Sequence, residues 1–483
     1  MTDREYQEKV ASLNDTQRVA FDRVVQYNCA RHQYFMRERD TLPEPLHLFI
    51  TGGAGTGKSH IISVIKEHIE RAHTGSQNAC MLMGPTGVSS FNIGGTTAHR
   101  ALCLPVEHNN STRYTKLSAE RLHELRILWK DVHTVVIDEI SMVSYETFVF
   151  IHKRLTEIKG TDDTEIHFGG LNIIAVGDFY QLPPVRDRCI FLNGKGYTQG
   201  STHLWRELFT VIELTANMRQ RNDTCYSEIL NRIRTGNQTN EDIAKLRTRL
   251  TSGIPDSVQL NDPKFHSTLY LLPRKEHCMS LKAEHCILES RHFPQGVTSR
   301  TVPENLIPTD DNSCAGLPRM LKLAVGAQVM LRRNIMCEDG LVNGVRGVIV
   351  GFKWNTECQY QPGSLPAAVL VKFHDPRVGR IHTIQVPGTN GVEAVEIRPI
   401  SAKFFAPQGV TLQRTQLPLL LCWAATIHKV QGLSLDAAVI DLGPAMFEDG
   451  MAYVALIRVR TLVGVALLDL VLKSRHPKQH PRR

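Results

Sequence analysis

The stretch that decides the fold is "LHLFITGGAGTGKS", Leu46 to Ser59. Its second half matches G-x-x-x-x-G-K-[ST], a pattern whose glycines let main-chain N–H groups turn inward around phosphate. Its first half is an apolar run that predicts a buried strand, and residues 58–71 predict a helix. This context predicts a nucleotide site in which Lys58 reaches the β- and γ-phosphates and Ser59 binds Mg²⁺. The other loop residues assigned to the site are Gly52, Gly53, Ala54, Gly55, Thr56 and Gly57.

Similar apolar runs recur along the first 215 residues, with helix-like stretches such as residues 143–157 between them. The runs are continuous rather than alternating, which is typical of a parallel sheet covered on both faces. Alternation of strands and helices predicts an α/β domain. The predicted strands, besides the first, are residues 80–83, 134–139, 171–178 and 209–214.

The pattern changes three times further along. Residues 104–130 are polar and turn-rich and indicate an inserted excursion, and residues 222–290 are interpreted as mostly helical. From about 291 to 410, Gly-containing turns separate short β-rich runs, which predicts a small all-β module. Because α/β character returns at "LPLLLCWAATIH" and "LDAAVIDLG" (417–443), we interpret this module as an insertion into a second α/β domain.

Composition excludes several classes of protein. Among 483 residues, 42% are hydrophobic and 22% charged, as in ordinary globular proteins. The net charge of +8 fits a polyanionic partner, although many soluble proteins have a similar excess. Apolar runs stay short of the length of a membrane span. The hydrophilic N-terminus, which contains acidic residues, resembles neither a signal nor a transit peptide.

The eleven cysteines include no C-x-x-C pair, which fits a reducing compartment. The segment "EHCMSLKAEHC" (276–286) brings two His-Cys pairs close in sequence, but their spacing is not that of a zinc finger. We interpret the segment as one helix without a metal.

Further motifs supply polar groups that fit phosphate chemistry. The strand "VVIDE" ends in Asp138, a candidate ligand of Mg²⁺, and Glu139, a candidate base for the attacking water. Gln181 in "VGDFYQLPPV" is suited to sensing a γ-phosphate or holding that water. Arg219 lies in "ELTANMRQ" (213–220), at the end of a predicted strand. Arg458 follows the predicted helix of "YVALIRVRT" (453–461), where a buried cation needs an anion.

This ordered set of motifs resembles the Pif-type DNA helicases, a superfamily-one group related to RecD-like enzymes, and especially the versions in Helitron-type transposons. The resemblance extends from "LNDTQRVAFD" (13–22) to about residue 470. It implies an α/β fold of two RecA-like P-loop domains with a small wedge insertion and an SH3-like β module. The implied boundaries are 1–215 for the first domain with the wedge at 104–130, 216–290 with 411–475 for the second, 291–410 for the β module, and 476–483 for a basic tail.

The resemblance also assigns roles to single residues. Gln17 would contact the adenine base, and Gln431 and Gly432 would belong to the nucleotide site. Arg219 and Arg458 would reach the γ-phosphate from the second domain. For Arg460 two alternatives stay open, contact with a phosphate and simple exposure at the surface. The implied DNA contacts are Thr86, His99, Thr426 and His428.

The implied activity is ATP-dependent unwinding of duplex DNA by 5′-to-3′ movement on single-stranded DNA, with Mg²⁺. It would serve genome maintenance (DNA repair, recombination, telomere maintenance) or transposon replication. The expected partners are single-stranded and forked DNA and no membrane, with a monomeric, intracellular protein in the nucleus, the mitochondrion being the alternative.

Three positions depart from the family's usual pattern: Val430 and Ile457 stand where serine is usual, and Met451 where glutamine is usual. Either these are changes at tolerant sites, or they weaken the coupling of hydrolysis to movement. The second interpretation leaves open a DNA-binding protein, derived from a transposon helicase, with weak or no motor activity. A small-molecule kinase is poorly supported, since it would need neither Arg458 nor a second α/β domain.

Overall fold

A computed structural model describes most of the chain. The described residues are 1–73, 78–105, 113–161, 163, 165–184, 187–193, 202–219, 223–260, 262–265, 268–273, 286–289, 291–294, 302–303, 306–308, 311–314, 316–354, 365–386, 391–405 and 411–471. Contacts divide the chain into two compact units, Met1–His266 with Gln431–Arg483, and Ser267–Val430.

The first part of unit one is an α/β layer structure. Its helices are α1 (Asp3–Ala11), α2 (Asp15–Phe35), α3 (Lys58–Ala72), α4 (Gly87–Asn92), α5 (Ala98–Leu102), α6 (Ala119–Leu128), α7 (Tyr145–Lys159), α8 (Thr224–Thr235) and α9 (Asn240–Arg247). Its strands are β1 (His47–Gly52), β2 (Cys80–Gly84), β3 (Thr96–Thr97), β4 (Thr134–Ile137), β5 (Asn172–Gly177) and β6 (Thr210–Leu214). The predicted strands and the two predicted helices of this part are thereby confirmed, with ends shifted by one to two residues.

These strands form one parallel sheet in the order β3-β2-β4-β5-β1-β6. Successive residues of a strand point to opposite faces, and the core follows this alternation. Leu48 and Ile50 pack with α2 and α3 on one face, whereas Phe49 packs with α7 on the other. The inner strands β2, β4, β5 and β1 are buried on both sides, which explains why they are continuous apolar runs, whereas the edge strand β6 is mostly exposed.

Part of the predicted excursion at 104–130 packs into this core. Leu125 on α6 and Trp129 just after it are buried in the same apolar cluster as Phe148 of α7. Arg154 of α7, which is 1% exposed, donates hydrogen bonds to the Thr115 carbonyl and the Glu157 carboxylate. The described residues of the excursion are thus held against α7.

The last part of unit one returns to strands and a helix. It contains β20 (Ala438–Leu442), the helix α10 (Met451–Leu456) and β21 (Val465–Leu470), in which β20 and β21 are parallel neighbours. The predicted helix before Arg458 is therefore present. The main-chain N–H of Thr251 donates to the carbonyl of Leu467, which links this part to the segment after α9.

Unit two is made mainly of antiparallel strands. They are β7 (Leu269–Leu272), β8 (Cys286–Glu289), β9 (Arg291–Pro294), β10 (Met320–Leu323), β11 (Gln328–Leu331), β12 (Arg346–Lys353), β13 (Ala368–Phe373), β14 (Thr383–Gln385), β15 (Glu393–Ile397), β16 (Ile400–Phe405), β17 (Thr411–Gln416), β18 (Leu419–Leu421) and β19 (Ala424–Thr426). Three antiparallel sheets have the orders β14-β15-β13-β12-β11-β18, β16-β17-β9 and β10-β8, and β19 pairs with β7 in parallel. The β-rich runs predicted after residue 291 are confirmed, and the SH3-like form of the module stays a prediction.

One sequence interpretation is wrong. The mostly helical assignment of 222–290 holds for α8 and α9, but residues 269–272 and 286–289 are strands. Short apolar runs such as "LYLL" fit a buried strand and a helix turn equally well, so periodicity does not separate them. Most of the segment "EHCMSLKAEHC" lies outside the described residues. Within the residues that are described, no helix has the length and apolar character required to cross a membrane.

Candidate active site

The loop from Gly52 to Ser59 joins β1 to α3, as its sequence predicts. Gly55 and Gly57 have φ angles of +83° and +82°, a region that side chains other than glycine adopt at a cost. A Cβ on Gly57 would lie 2.3 Å from Nε2 of Gln17, and one on Gly52 would lie 2.7 Å from the Leu214 carbonyl oxygen. Gly55 is therefore favoured by its conformation, Gly52 by the lack of space, and Gly57 by both.

Lys58 lies inside this loop at the N-terminus of α3. Its Nζ donates hydrogen bonds to the carbonyl oxygens of Gly52 at 2.8 Å and Gly53 at 2.9 Å. Burial lowers the pKa of Lys58, and the nearby carboxylates of Asp178, Glu139 and Asp138 oppose that effect. The ammonium group thus occupies the loop interior, where the N-terminus of a helix also favours an anion.

The two carboxylates predicted after β4 face the same place. Asp138 is buried, and its burial together with the charge of Glu139 raises the pKa of the Asp138 carboxyl. Glu139 has φ 49° and ψ 46°, a left-handed conformation that is uncommon for a residue with a side chain. Its Oε2 is buried without a hydrogen-bond partner among the described residues. A strained residue with an unsatisfied carboxylate oxygen is typical of a functional site.

Gln181 follows the end of β5 and is 4% exposed. Its main-chain N–H donates to the Asp178 carbonyl at 3.0 Å, which fixes the turn after the strand. Its side-chain Oε1 is buried, and the described part of the chain offers it no donor. The amide is therefore available to a group that enters the site.

The two predicted arginines come from distant parts of the sequence and reach the same site. Arg219 donates from Nη1 to the Ile457 carbonyl at 3.3 Å. Arg458 is 2% exposed and donates to the carbonyls of Val454 at 3.0 Å and Leu433 at 3.2 Å. Burial, with the nearby charge of Arg219, lowers the pKa of Arg458 to about 10. A buried cation beside a second, partly buried one favours an anion between them.

One cavity, of about 340 Å³, brings these groups together. The residues that line it and were predicted from the sequence are Ala54, Gly55, Gly57, Lys58, Ser59, Asp138, Glu139, Gln181, Arg219, Gly432 and Arg458. It is also lined by four residues that the sequence analysis missed: His60, Ser89, Asn92 and Met218. His60 follows the phosphate-binding loop, Met218 lies in "ELTANMRQ", and Ser89 and Asn92 lie between the candidate DNA contacts Thr86 and His99. Position in sequence was therefore the signal that could have found them.

Other residues assigned to the nucleotide lie behind the cavity. Gln17 is buried, donates from Nε2 to the Thr56 carbonyl at 3.0 Å and accepts from the main-chain N–H of Asn14 at 3.1 Å. It supports the loop from outside, and its contact with adenine stays a prediction. Gln431 is 7% exposed, and within the described residues both polar atoms of its amide are buried without partners.

The predicted DNA contacts lie in both units. In unit one, Thr86 caps α4, since its hydroxyl accepts from the main-chain N–H of Ser89 at 3.2 Å, and His99 is exposed on α5. In unit two, Thr426 ends β19 and His428 lies in a 3₁₀ turn at Ile427–Val430. Their role in DNA binding stays a prediction.

The three departures from the usual pattern are buried. Met451 and Val430 are 0% exposed and Ile457 is 1% exposed. Apolar side chains at fully buried positions are stabilised by packing, so the structure favours changes at tolerant sites. Arg460 pairs with Asp436 at 3.0 Å, and both side chains are exposed, which makes it a surface ion pair.

Comparison with known proteins matches two family models to the chain. The model described as "PIF1-like helicase" matches residues 12–244, and the model described as "DNA helicase Pif1, 2B domain" matches residues 313–352. Together they account for more than half of the chain. Among curated proteins, the chain is 32% identical over 443 residues to the ATP-dependent DNA helicase PIF1 of Rattus norvegicus. That match covers 87% of this chain but 58% of the relative, so the chain spans less than two thirds of its length.

Solved structures show the same fold. The Pif1 helicase from Candida albicans is similar with a TM-score of 0.67 at 23% identity, over 95% of this chain and 94% of that one. The Pif1 helicase from Bacteroides in complex with ADP-AlF3 and ssDNA is similar with a TM-score of 0.61 at 23% identity, over 92% of each chain. The chain belongs to the PIF1-like helicase family.

Proposed function

We propose that this chain is an ATP-dependent DNA helicase that moves 5′ to 3′ along single-stranded DNA and separates duplex DNA. The observation that carries the proposal is the cavity in which Lys58, Glu139 and Arg458 meet. A phosphate-binding loop, a carboxylate and a buried arginine are the parts that phosphoryl transfer to water requires. Membership of the PIF1-like family adds DNA as the track.

Binding of ATP would change the partners of Lys58. Its Nζ now donates to the carbonyls of Gly52 and Gly53, and phosphate oxygens would take their place as charge-assisted acceptors. The N-terminus of α3, which begins at Lys58, favours the same anion. This cluster holds the nucleotide by its phosphates, whichever base it has.

Mg²⁺ fits the oxygen atoms that line this cavity. The Ser59 hydroxyl and the Asp138 carboxylate are hard oxygen ligands of the kind that Mg²⁺ prefers. Bound there, the ion would neutralise charge on the phosphates. Asp138 is buried beside Glu139, so a cation would also offset the repulsion between the two carboxylates.

The hydrolysis step is proposed for the two unsatisfied acceptors. Oε2 of Glu139 would take a proton from the attacking water, and Oε1 of Gln181 would accept its second hydrogen and so orient it. Water oxygen then bonds to the γ-phosphorus as the bond to the β-phosphate oxygen breaks. Arg219 and Arg458 would stabilise the charge on the γ-phosphoryl oxygens, an effect of about 10³–10⁵ in rate in comparable enzymes.

Coupling to DNA is proposed to use the segment from Thr426 to Gly432. This segment holds two of the four candidate DNA contacts and ends at Gly432, which lines the cavity. A movement of Gly432 when the γ-phosphate leaves would thus reach the candidate contacts to the DNA strand within a few residues of the chain. Thr86 lies on α4, whose Ser89 and Asn92 line the cavity, and provides a second path of the same kind.

The wider setting follows from family membership and sequence. We propose single-stranded and forked DNA as the substrates, a monomeric helicase, and a place in genome maintenance or transposon replication in the nucleus. A DNA-binding protein without motor activity is the weaker candidate, because the departures that suggested it are buried apolar side chains.

The test compares ATP turnover with and without single-stranded DNA, and then strand separation on forks with either a 5′ or a 3′ loading tail. We expect stimulation by the single strand and unwinding from the 5′ tail alone. Glu139→Gln is the matched control, since it keeps the shape of the side chain but removes the proton acceptor. A folded chain that binds ATP, yet neither responds to DNA nor unwinds either fork, contradicts the proposal.

A further inference from the structure

The hydroxyl of Tyr453 connects two parts of the site that the sequence motifs treat as separate. It accepts a hydrogen bond from the main-chain N–H of Ala54 at 3.0 Å and donates one to Oδ2 of Asp178 at 3.3 Å. Tyr453 is 3% exposed, and Asp178 is fully buried. A single hydroxyl thus joins the phosphate-binding loop to the loop after β5 with both of its hydrogen-bonding functions in use.

Asp178 is the centre of this network. Its carboxylate also accepts from Arg234, with Nε at 3.2 Å and Nη2 at 3.0 Å. The guanidinium lies 4.6 Å from the centre of the Tyr180 ring, and the Asp178 carbonyl accepts from the main-chain N–H of Gln181. A buried carboxylate is stable only when its lone pairs are satisfied, and here Tyr453, Arg234 and the main-chain N–H of Tyr180 share that task.

The helix that bears Tyr453 is also the one that leads to Arg458. At its start, Gly450 has φ +84°, and a Cβ there would lie 2.9 Å from the carbonyl oxygen of Tyr180. The N-terminus of α10 therefore packs directly on the loop that contains Gln181. At its end, Nε of Arg458 donates back to the Val454 carbonyl at 3.0 Å.

We propose that Tyr453 is a positioning residue, whose hydroxyl ties the phosphate-binding loop at Ala54 to Asp178 and thereby fixes α10 so that Arg458 reaches the γ-phosphate. The inference rests on the proposed function in one respect only, that ATP binds with its γ-phosphate beside Arg458. Tyr453 itself touches no reacting atom, so it acts through the helix.

Substitution by phenylalanine separates this role from a structural one. Tyr453→Phe keeps the ring and its packing but removes the link between the N–H of Ala54 and the carboxylate of Asp178. If the hydroxyl aims Arg458, the loss falls on a nucleotide that has a γ-phosphate and spares one that lacks it. A residue that merely supports the loop would weaken both nucleotides equally.

The experiment measures Kd for ADP and for the non-hydrolysable ATP analogue AMP-PNP, both with Mg²⁺ and without DNA. We expect Tyr453→Phe to raise the Kd of AMP-PNP about fivefold, the effect of one hydrogen bond, and to change that of ADP less than about twofold. In an Arg458→Gln background the same substitution should have no further effect, because coupled residues are not additive.

Tyr114→Phe is the matched control. Its hydroxyl also donates to a carboxylate, Glu157, at 2.6 Å, but Glu157 does not line the cavity, whereas Ala54, the partner of Tyr453, does, so neither Kd should move. Equal weakening of both nucleotides by Tyr453→Phe, an unchanged AMP-PNP affinity, or full additivity with Arg458→Gln overturns the proposal. These affinities need neither turnover nor DNA, so failure here is distinct from failure of the helicase function.

Discussion

Replacing Gly57 by alanine tests the account of the phosphate-binding loop most sharply. The residue has φ +82°, and its new Cβ would lie 2.3 Å from Nε2 of Gln17. The left-handed conformation costs alanine about 1–2 kcal/mol. The amide of Gln17 must also move, which removes its hydrogen bonds to Thr56 and Asn14, each of about 1 kcal/mol. We therefore expect a total destabilisation of about 3–4 kcal/mol.

Gly253→Ala isolates the conformational part of this effect. Gly253 has φ +80°, and nothing lies within 4 Å of a Cβ built on it. This variant should lose only about 1–2 kcal/mol and bind ADP as the wild type does. The assay is urea unfolding of the three proteins, followed by ADP titration, in which Gly57→Ala should weaken binding by about tenfold or more. Equal destabilisation by the two substitutions, or unchanged ADP affinity in Gly57→Ala, would show that contact between residue 57 and Gln17 does not shape the loop.

Three further expectations follow from buried groups. Arg458→Lys retains the charge but not the planar group that donates to two carbonyls. The maximal ATPase rate should therefore fall at least about 10²-fold, while the affinity for ADP stays within about threefold of wild type. A rate near wild type in a kinetic assay would argue against a role of Arg458 at the γ-phosphate. Ile457→Ser restores the residue that is usual in the family at a position that is 1% exposed. Urea unfolding should show that the free energy of unfolding falls by about 3 kcal/mol, and DNA-stimulated ATP turnover should not rise. A marked rise in turnover would instead support weakened coupling of hydrolysis to movement in this chain. Burial lowers the pKa of His47 and His152 to about 4, below the value in the unfolded chain. The free energy of unfolding is therefore highest above about pH 6.5 and falls as the pH drops toward 4, by up to about 3 kcal/mol for each histidine. Unfolding measured between pH 7.5 and 4.5 should show this slope, and His47→Leu should flatten it; identical slopes would contradict the assignment.

The sheet was predictable because its inner strands are buried on both faces. Continuous apolar runs such as "LHLFIT" and "LNIIAVG" indicate strands of a parallel sheet that is covered on both faces, and the glycine pattern of the loop indicates phosphate binding. The strand at Leu269–Leu272 was missed, since four apolar residues carry no clear period and its partner β19 lies far along the chain.

The polar network was less predictable for a similar reason. Tyr453 bonds to Ala54 across 399 positions of sequence, and Arg234 reaches Asp178 across 56. No local sequence pattern predicts such pairs. Tyr453 and Asp178 do lie within two quoted motifs, but those motifs were chosen for Arg458 and Gln181. For Gln17 the motif was recognised, but the motif alone did not predict where the side chain lies. Its amide is bonded to the loop rather than directed into the cavity.

The central claim is that ATP hydrolysis in this cavity is driven by contact with single-stranded DNA. The most direct measurement is the steady-state ATPase rate of the chain with and without a single-stranded oligonucleotide, with Lys58→Ala as the blank. The rate should rise at least about tenfold with the oligonucleotide and disappear in Lys58→Ala. A rate in folded, ATP-binding protein that is the same with and without the oligonucleotide would contradict this dependence on DNA.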